Sequence, residues 1–193
     1  MNFKRLGPVA LMALALLVLA NTATATTLEI SGVKQNVAVT IKASLKFGTS
    51  LLLTDTFGGF ANTCTDSAIE GKTSTFTGST VSEPLSTLTF SSCTNQPVVV
   101  DTLGSLTYEN IAGTANGTVR SIGAKFTSPS PFGALTCTTA ASPGTDIGTL
   151  TGVSSGSATL DINALMNCGF FLPCAKLSGT YTVTTPTALA VTS

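Results

Sequence analysis

The sequence predicts an all-β protein: an antiparallel β-sandwich, of jelly-roll or immunoglobulin-like kind, built from two similar halves. Three observations lead there. Short apolar or alternating runs recur throughout the chain after residue 25, Thr and Ser take the place of charge between them, and Gly, Pro and Asn interrupt them at short intervals. Threonine is β-branched, packs well on a pleated surface and forms helices poorly. Many short strands at such spacing build a sandwich or a barrel.

The elements follow in order. Val37, Val39 and Ile41 alternate with Ala38, Thr40 and Lys42, the period of two that marks a half-buried strand. Leu51-Leu52-Leu53, Leu85 to Phe90, Val98-Val99-Val100, Leu103 to Tyr108, Val119 to Phe126, Ala158 to Ile162 and Tyr181 to Val183 come next. Turn signals separate them at Gly58-Gly59, Glu83-Pro84, Asn95-Gln96-Pro97, Asn116-Gly117, Ser142-Pro143-Gly144 and Thr185-Pro186. Asn-Gly is the strongest hairpin signal among these. Only Ile162 to Met166 hints at a helical turn.

Residues 1–25 read as a secretory signal. Lys4 and Arg5 precede an apolar run from Leu6 to Ala20, and Ala23-Thr24-Ala25 offers small residues where a signal peptidase cuts. The run of about 15 residues is shorter than the roughly 20 that a spanning helix needs. No cysteine follows it, so a lipoprotein anchor is not indicated. Cleavage after Ala25 leaves residues 26–193 as a single domain, secreted or at a bacterial cell surface. Lys4 and Arg5 leave with the signal, so seven of the nine basic residues remain against nine acidic ones. That balance, with no basic cluster, excludes a nucleic-acid partner.

Inside the domain the chain repeats itself. Cys64-Thr65, Thr75-Phe76-Thr77-Gly78, Ser86-Thr87-Leu88-Thr89-Phe90 and Cys93 are echoed by Cys137-Thr138, Thr149-Leu150-Thr151-Gly152, Ala158-Thr159-Leu160-Asp161-Ile162 and Cys168. Phe57-Gly58 and Phe132-Gly133 precede the two copies, and strands bearing Tyr108 and Tyr181 close them. The internal repeat thus covers approximately residues 57–110 and 132–185. Each copy alone would struggle to bury enough apolar surface, which favours one duplicated sandwich.

Five cysteines in an exported chain read first as disulfides. The repeat suggests Cys64 with Cys93 and Cys137 with Cys168, leaving Cys174 over; a Cys137–Cys174 link that frees Cys168 is the alternative. Each loop of about 30 residues would add on the order of 3 kcal/mol in the chain-entropy model. With no His and no Cys-x-x-Cys pair, no metal or cofactor is expected.

The same lack of His removes the Ser-His and Cys-His forms of nucleophilic catalysis and the usual general base near neutral pH. Ser31-Gly32-Val33-Lys34 has the Ser-x-x-Lys spacing of some acyl-transfer enzymes, but it sits at a glycine bend between strand-like runs. Asp55, Asp66, Glu70, Asp101, Glu109, Asp146 and Asp161 are scattered singly, without the aromatic cluster that a glycosidase cleft needs. Gly113 to Gly117 lacks the lysine of a phosphate loop. An isopeptide cross-link from Lys42 or Lys46 finds no Asn or Asp in the last strand-like region, 180–193. No catalytic residue is expected.

Five segments carry a resemblance: a Cys-Thr strand, Gly71-Lys72-Thr73, Leu88 to Cys93, Gly144 to Gly152, and Ala175 to Thr184 with its Gly-Thr-Tyr-x-Val-Thr. Together they resemble a group of exported bacterial Thr-rich, paired-cysteine β-proteins of unknown function, over nearly all of residues 26–193. More loosely, the texture is similar to the secreted "activator of alkane oxidation" family. That likeness implies an extracellular protein met in surface growth, biofilm or contact with hydrophobic substrates; neither likeness supplies catalytic residues.

The resulting expectation is a non-enzymatic structural or adhesive protein of the cell surface or extracellular matrix, which self-associates or binds surface components. Thr27 to Ala43 is the candidate for strand exchange between copies. The alternative is a soluble binding module for an apolar small molecule or a carbohydrate, with Phe47, Phe57, Phe60, Phe126 and Phe132 as its lining.

Overall fold

The computed structural model describes residues 25–56, 59–95, 97–130, 133–168 and 175–193. Every regular element among them is a strand. These are β1 (Thr26–Ile30), β2 (Val33–Lys34), β3 (Thr40–Leu45), β4 (Leu51–Asp55), β5 (Ala61–Lys72), β6 (Thr77–Gly78), β7 (Val81–Cys93) and β8 (Val99–Thr102). After them come β9 (Ser105–Asn110), β10 (Gly117–Ile122), β11 (Lys125–Ser130), β12 (Gly133–Thr138), β13 (Thr145–Thr151), β14 (Thr159–Cys168), β15 (Ala175–Thr185) and β16 (Leu189–Thr192).

Eight of them close a barrel. β3 pairs with β5, β5 with β7, β7 with β9 and β9 with β10. β10 pairs with β13, β13 with β14, β14 with β15, and β15 returns to β3. Every ladder is antiparallel, and closure leaves no free edge at this level. The expected two-sheet sandwich is therefore replaced by a single sheet that closes on itself. Alternation and turn spacing are alike in the two architectures; the β15–β3 ladder, between residues far apart in sequence, decides between them.

Beyond one end of the barrel the wall continues in pieces. β8 and β11 prolong the β9–β10 hairpin, since Thr102↔Lys125 follows Ser105↔Ile122. β11 pairs with β12, and β12 joins β14 at Cys137↔Cys168 and Thr138↔Asn167. On the other side β7 parts from this extension. Its ladder to β9 stops at Pro84↔Ser105. Beyond a bond from Leu85 N–H to the Gly104 carbonyl at 3.1 Å, no ladder joins β7 to β8 among the described residues. Val98 and Phe126 are buried inside this extension, the Phe126 ring 5.3 Å from that of Phe90 and tilted to it by 56°.

The opposite end is capped by a small sheet in which β1 is flanked by β16, β2 and β6. Thr26, Thr27 and Leu28 are all buried there. Asn110 ties cap to barrel: its side-chain amide donates to the Val191 carbonyl at 2.7 Å, and its backbone N–H to Thr26 Oγ1 at 3.1 Å. The Val191 N–H in turn donates to the Ala115 carbonyl at 2.9 Å.

Inside and outside alternate along the wall. On β14, Leu160, Ile162, Ala164 and Met166 face the core while Asp161, Asn163, Leu165 and Asn167 face out. On β15, Leu177, Tyr181 and Val183 face in, and Lys176, Ser178, Thr180 and Thr182 lie between them. An apolar interior inside a hydroxyl-bearing wall reverses the pattern of a membrane-spanning barrel, which shows its apolar band to lipid. No helix among the described residues is long and apolar enough to cross a membrane.

Gly148 marks where the wall is tightest. It lies opposite the register shift at Val119/Arg120, has φ +148°, and a Cβ there would fall on the Asp161 carbonyl oxygen. Neither the backbone angle nor the backbone neighbour can yield cheaply. Gly148→Ala is expected to lower unfolding free energy by about 2 kcal/mol or more in chemical denaturation; an unchanged midpoint would show that the β13–β14 ladder can relax.

Two local expectations are corrected. Glu83-Pro84 is the middle of β7 and not a turn. Ile162 to Met166 belongs to β14 and is not helical. The hairpin signalled at Asn116-Gly117 is the β9–β10 hairpin, with Ile111 to Asn116 as its loop and Gly117 paired with Asn110. The copies aligned as a repeat occupy partly different places. β7 and β14 each run to a disulfide and are followed by a tyrosine strand, but Thr77–Gly78 lies in the cap whereas Thr149 to Thr151 lie in the barrel.

Candidate functional site

The cysteines pair as the repeat suggests. Cys64 is bonded to Cys93 and Cys137 to Cys168, each directly across a ladder. Cys137 is thus not linked to Cys174, which lies outside the described residues, as do residues 1–24. Two disulfides fit an oxidising, extracellular setting.

The carboxylates singled out in the sequence are spread around the outer wall, each engaged locally. Asp55 accepts from Gly59 N–H at 2.8 Å, Asp66 from Ser91 Oγ at 2.8 Å, Asp101 from Thr127 Oγ1 at 2.8 Å, and Asp161 from Thr180 Oγ1 at 2.7 Å. Asp146 accepts from Gly148 N–H at 3.2 Å. Glu70 pairs with Lys42 at 3.0 Å and Glu109 with Arg120 at 3.8 Å, both in solvent, where such pairs contribute little. No three metal-ligating side chains converge among the described residues. Ser31 and Gly32 form the β1–β2 turn, and Lys34 Nζ reaches the Ser193 carbonyl at 2.8 Å, away from the serine.

The carboxylate that the sequence hid is Glu83. It is fully buried on β7, and Tyr108 of β9 donates its hydroxyl hydrogen to Glu83 Oε2. Among the described residues, Glu83 Oε1 has no hydrogen-bond partner. Gly71 on β5 makes the room: a Cβ there would lie 2.5 Å from Oε1. Burial pushes the Glu83 carboxyl up to about 7, the Tyr108 bond opposing part of that rise. Burial, with the charge of Glu83, raises Tyr108 well above the usual phenol range. A second buried tyrosine, Tyr181, bonds Ser67 Oγ at 2.7 Å and is pushed up to about 12 by burial. Reading Glu83-Pro84 as a turn concealed this pair; the signal that could have found it is Val81-x-Glu83, in step with the inward face of a strand.

The interior offers little room for a ligand. Leu85, Leu88, Phe90, Leu106, Phe126 and Tyr181 are among the residues around an internal void of about 40 Å³, far below the several hundred Å³ of a small-molecule pocket. This void lies behind the parting of β7 from β8, and Leu85 and Leu88 on that lip are only partly buried. The proposed aromatic lining does not assemble: Phe60 and Phe126 are core residues, Phe47 is fully exposed, and Phe57 and Phe132 lie outside the described residues.

Phe47 belongs to a different feature. β3 and β4 occupy one slot of the wall, both pairing with β15 and β5, yet the chain leaves that slot between Leu45 and Leu51. The departure is held by Lys46 N–H to the Thr180 carbonyl at 2.8 Å, and by Thr49, whose N–H and hydroxyl both donate to the Lys46 carbonyl at 3.0 and 2.6 Å. Gly48, at φ +77°, supplies the left-handed residue for this tight turn. Phe47 stands at its tip, leaving in water a ring whose burial would be worth about 2 kcal/mol. Beneath it lies an open depression that includes Ser44, Ser50, Thr65, Asp66, Thr182 and Thr184.

No protein-family model, no curated protein and no solved structure matches the chain.

Proposed function

We propose that the chain is a non-enzymatic structural or adhesive protein of a bacterial cell surface or extracellular matrix, exported by its N-terminal signal and stapled by two disulfides. The observation that carries this reading is the filled barrel. Its interior is occupied by its own side chains, so what it offers a partner is a wall of threonine and serine hydroxyls with few charges. The candidate carboxylates support the same reading, since each bonds to a neighbouring strand or turn. Self-association and contact with matrix components are the partner classes that suit such a wall. Exchange of Thr27 to Ala43 between copies draws no support from β1, which is buried in its own cap.

The second reading, a soluble binding module, is favoured by one observation: the apolar void behind the gap between β7 and β8. It requires that gap to widen, because the void as it stands holds no more than a few atoms. Light scattering of the exported protein, with and without reductant, separates the two. Large or filamentous species are expected for the structural reading. A compact monomer of the same size in both conditions would count against self-association and direct attention to ligands.

A further inference from the structure

We propose that the Lys46–Ser50 excursion is a carbohydrate-docking site, with Phe47 as the ring on which a sugar stacks and the flanking hydroxyls as its hydrogen-bonding rim. The inference rests on the adhesive reading and names its partner class: a neutral, hydroxyl-rich polysaccharide bound side-on.

The excursion does nothing for the barrel. Both halves of the interrupted strand pair with the same two neighbours, so a continuous strand would complete the wall with fewer residues. Instead the chain is expelled, pinned at Lys46 and Thr49, and used to hold one aromatic ring entirely in solvent. Neighbouring strands yield at the same height. On β5, Thr65 and Asp66 are exposed in succession, breaking the alternation, and Ser92 opposite takes a positive φ of 53°. Irregularities of this kind re-aim side chains locally, and here they turn Asp66 toward the depression beside Phe47.

The chemistry around the ring selects the ligand. Ser44 and Thr182 are directly opposed across the β3–β15 ladder, and neither hydroxyl, nor that of Ser50, has a bonding partner among the described residues. Asp66 spends one carboxylate oxygen on Ser91 and keeps the other. A pyranose has an apolar face of C–H groups and a rim of hydroxyls that both donate and accept, which matches a ring set among free hydroxyls and one carboxylate. A lipid surface would call for several apolar side chains and a basic cluster, whereas among the described residues around this depression Lys46 is the single cation and Asp66 is of opposite charge. The depression is open and shallow, which suits a polymer lying across it and not an enclosed monosaccharide.

The test is calorimetric titration of the exported protein with cellohexaose, maltohexaose and chitohexaose, for the natural chain and for Phe47→Ala and Phe47→Tyr. Binding of at least one oligosaccharide is expected, weakened roughly tenfold or more by Phe47→Ala and retained by Phe47→Tyr, as for an aromatic anchor. Because Phe47 buries nothing, thermal unfolding should be the same in all three, so loss of binding cannot be ascribed to misfolding. If an oligosaccharide binds natural chain and Phe47→Ala alike, this site is wrong and the adhesive reading survives. If none binds, the polysaccharide class is wrong. If phosphatidylglycerol vesicles bind through Phe47 instead, the site serves lipid and the inference is overturned.

Discussion

Replacing Glu83 by glutamine is expected to stabilise the protein at pH 8 and to remove most of its loss of stability between pH 5 and pH 8. The folded chain holds the Glu83 proton up to about pH 7, against an ordinary value of 4.5 when unfolded. Between those values the folded state binds more protons than the unfolded one, so unfolding free energy falls as pH rises, and levels off above 7. The shift corresponds to roughly 3 kcal/mol, present as a penalty at pH 8 and absent below pH 4.5. Glutamine keeps an acceptor for Tyr108 and cannot ionise. Urea denaturation at pH 5, 6.5 and 8 measures both chains. A natural protein equally stable at all three values would show that Glu83 ionises freely and that the barrel admits water there.

Removing the two disulfides should have unequal consequences. Each closes a loop of about 30 residues, so each loss costs on the order of 3 kcal/mol from the unfolded chain alone. Their native surroundings differ. Cys64–Cys93 lies within the long β5–β7 ladder, whose remaining pairs from Asp66 to Gly71 hold the strands together without it. Among the described residues, Cys137–Cys168 is one of two residue pairs joining β12 to β14. Without it, β12 should part from the barrel, loosening β11 and β8, which reach the wall through it on that side. Hydrogen exchange in the Cys137→Ala/Cys168→Ala chain is expected to rise most across 125–130 and 133–138, well beyond the rise in the β9–β10 hairpin. In the Cys64→Ala/Cys93→Ala chain the rise should be spread over the barrel by the lower global stability, without a local excess. Equal, uniform exchange in both would mean that the extension is held by other contacts.

What could be read from the sequence was local. The alternation around Ile41, the apolar run at Leu51 and the strand ending in Cys93 are set by side-chain chemistry within a few residues. The repeat suggested the cysteine pairing and left Cys137–Cys174 open, which the Cys137–Cys168 bond closes. Closure could not be read that way, because it depends on Tyr181 finding Leu45 across more than half the chain. Pro84 misled because proline usually ends a strand; here it sits beside the register shift at Glu70/Gly71 in the β5–β7 ladder, where regular pairing is already interrupted. Ala164, Leu165 and Met166 are good helix formers drawn into β14, where burial of alternate residues outweighs preferences of a few tenths of a kcal/mol. The Phe47 excursion was least legible, since an expelled loop and a strand end look alike until both flanks are seen to share a slot.

The cap has a bearing on the order in which the molecule can assemble. Its central pairing joins Leu28 to Val191, almost the whole length of the chain apart. Closing so long a loop is entropically unfavourable until intervening structure brings the ends near. The barrel must therefore largely exist before the cap can seat, and β1, though it can pair with β2 and β6, has to wait for its longest ladder. A chain stopped before Leu189 would leave that first strand without β16 and Leu28 without Val191 opposite it. Seating of the cap is then the step that reports a closed barrel.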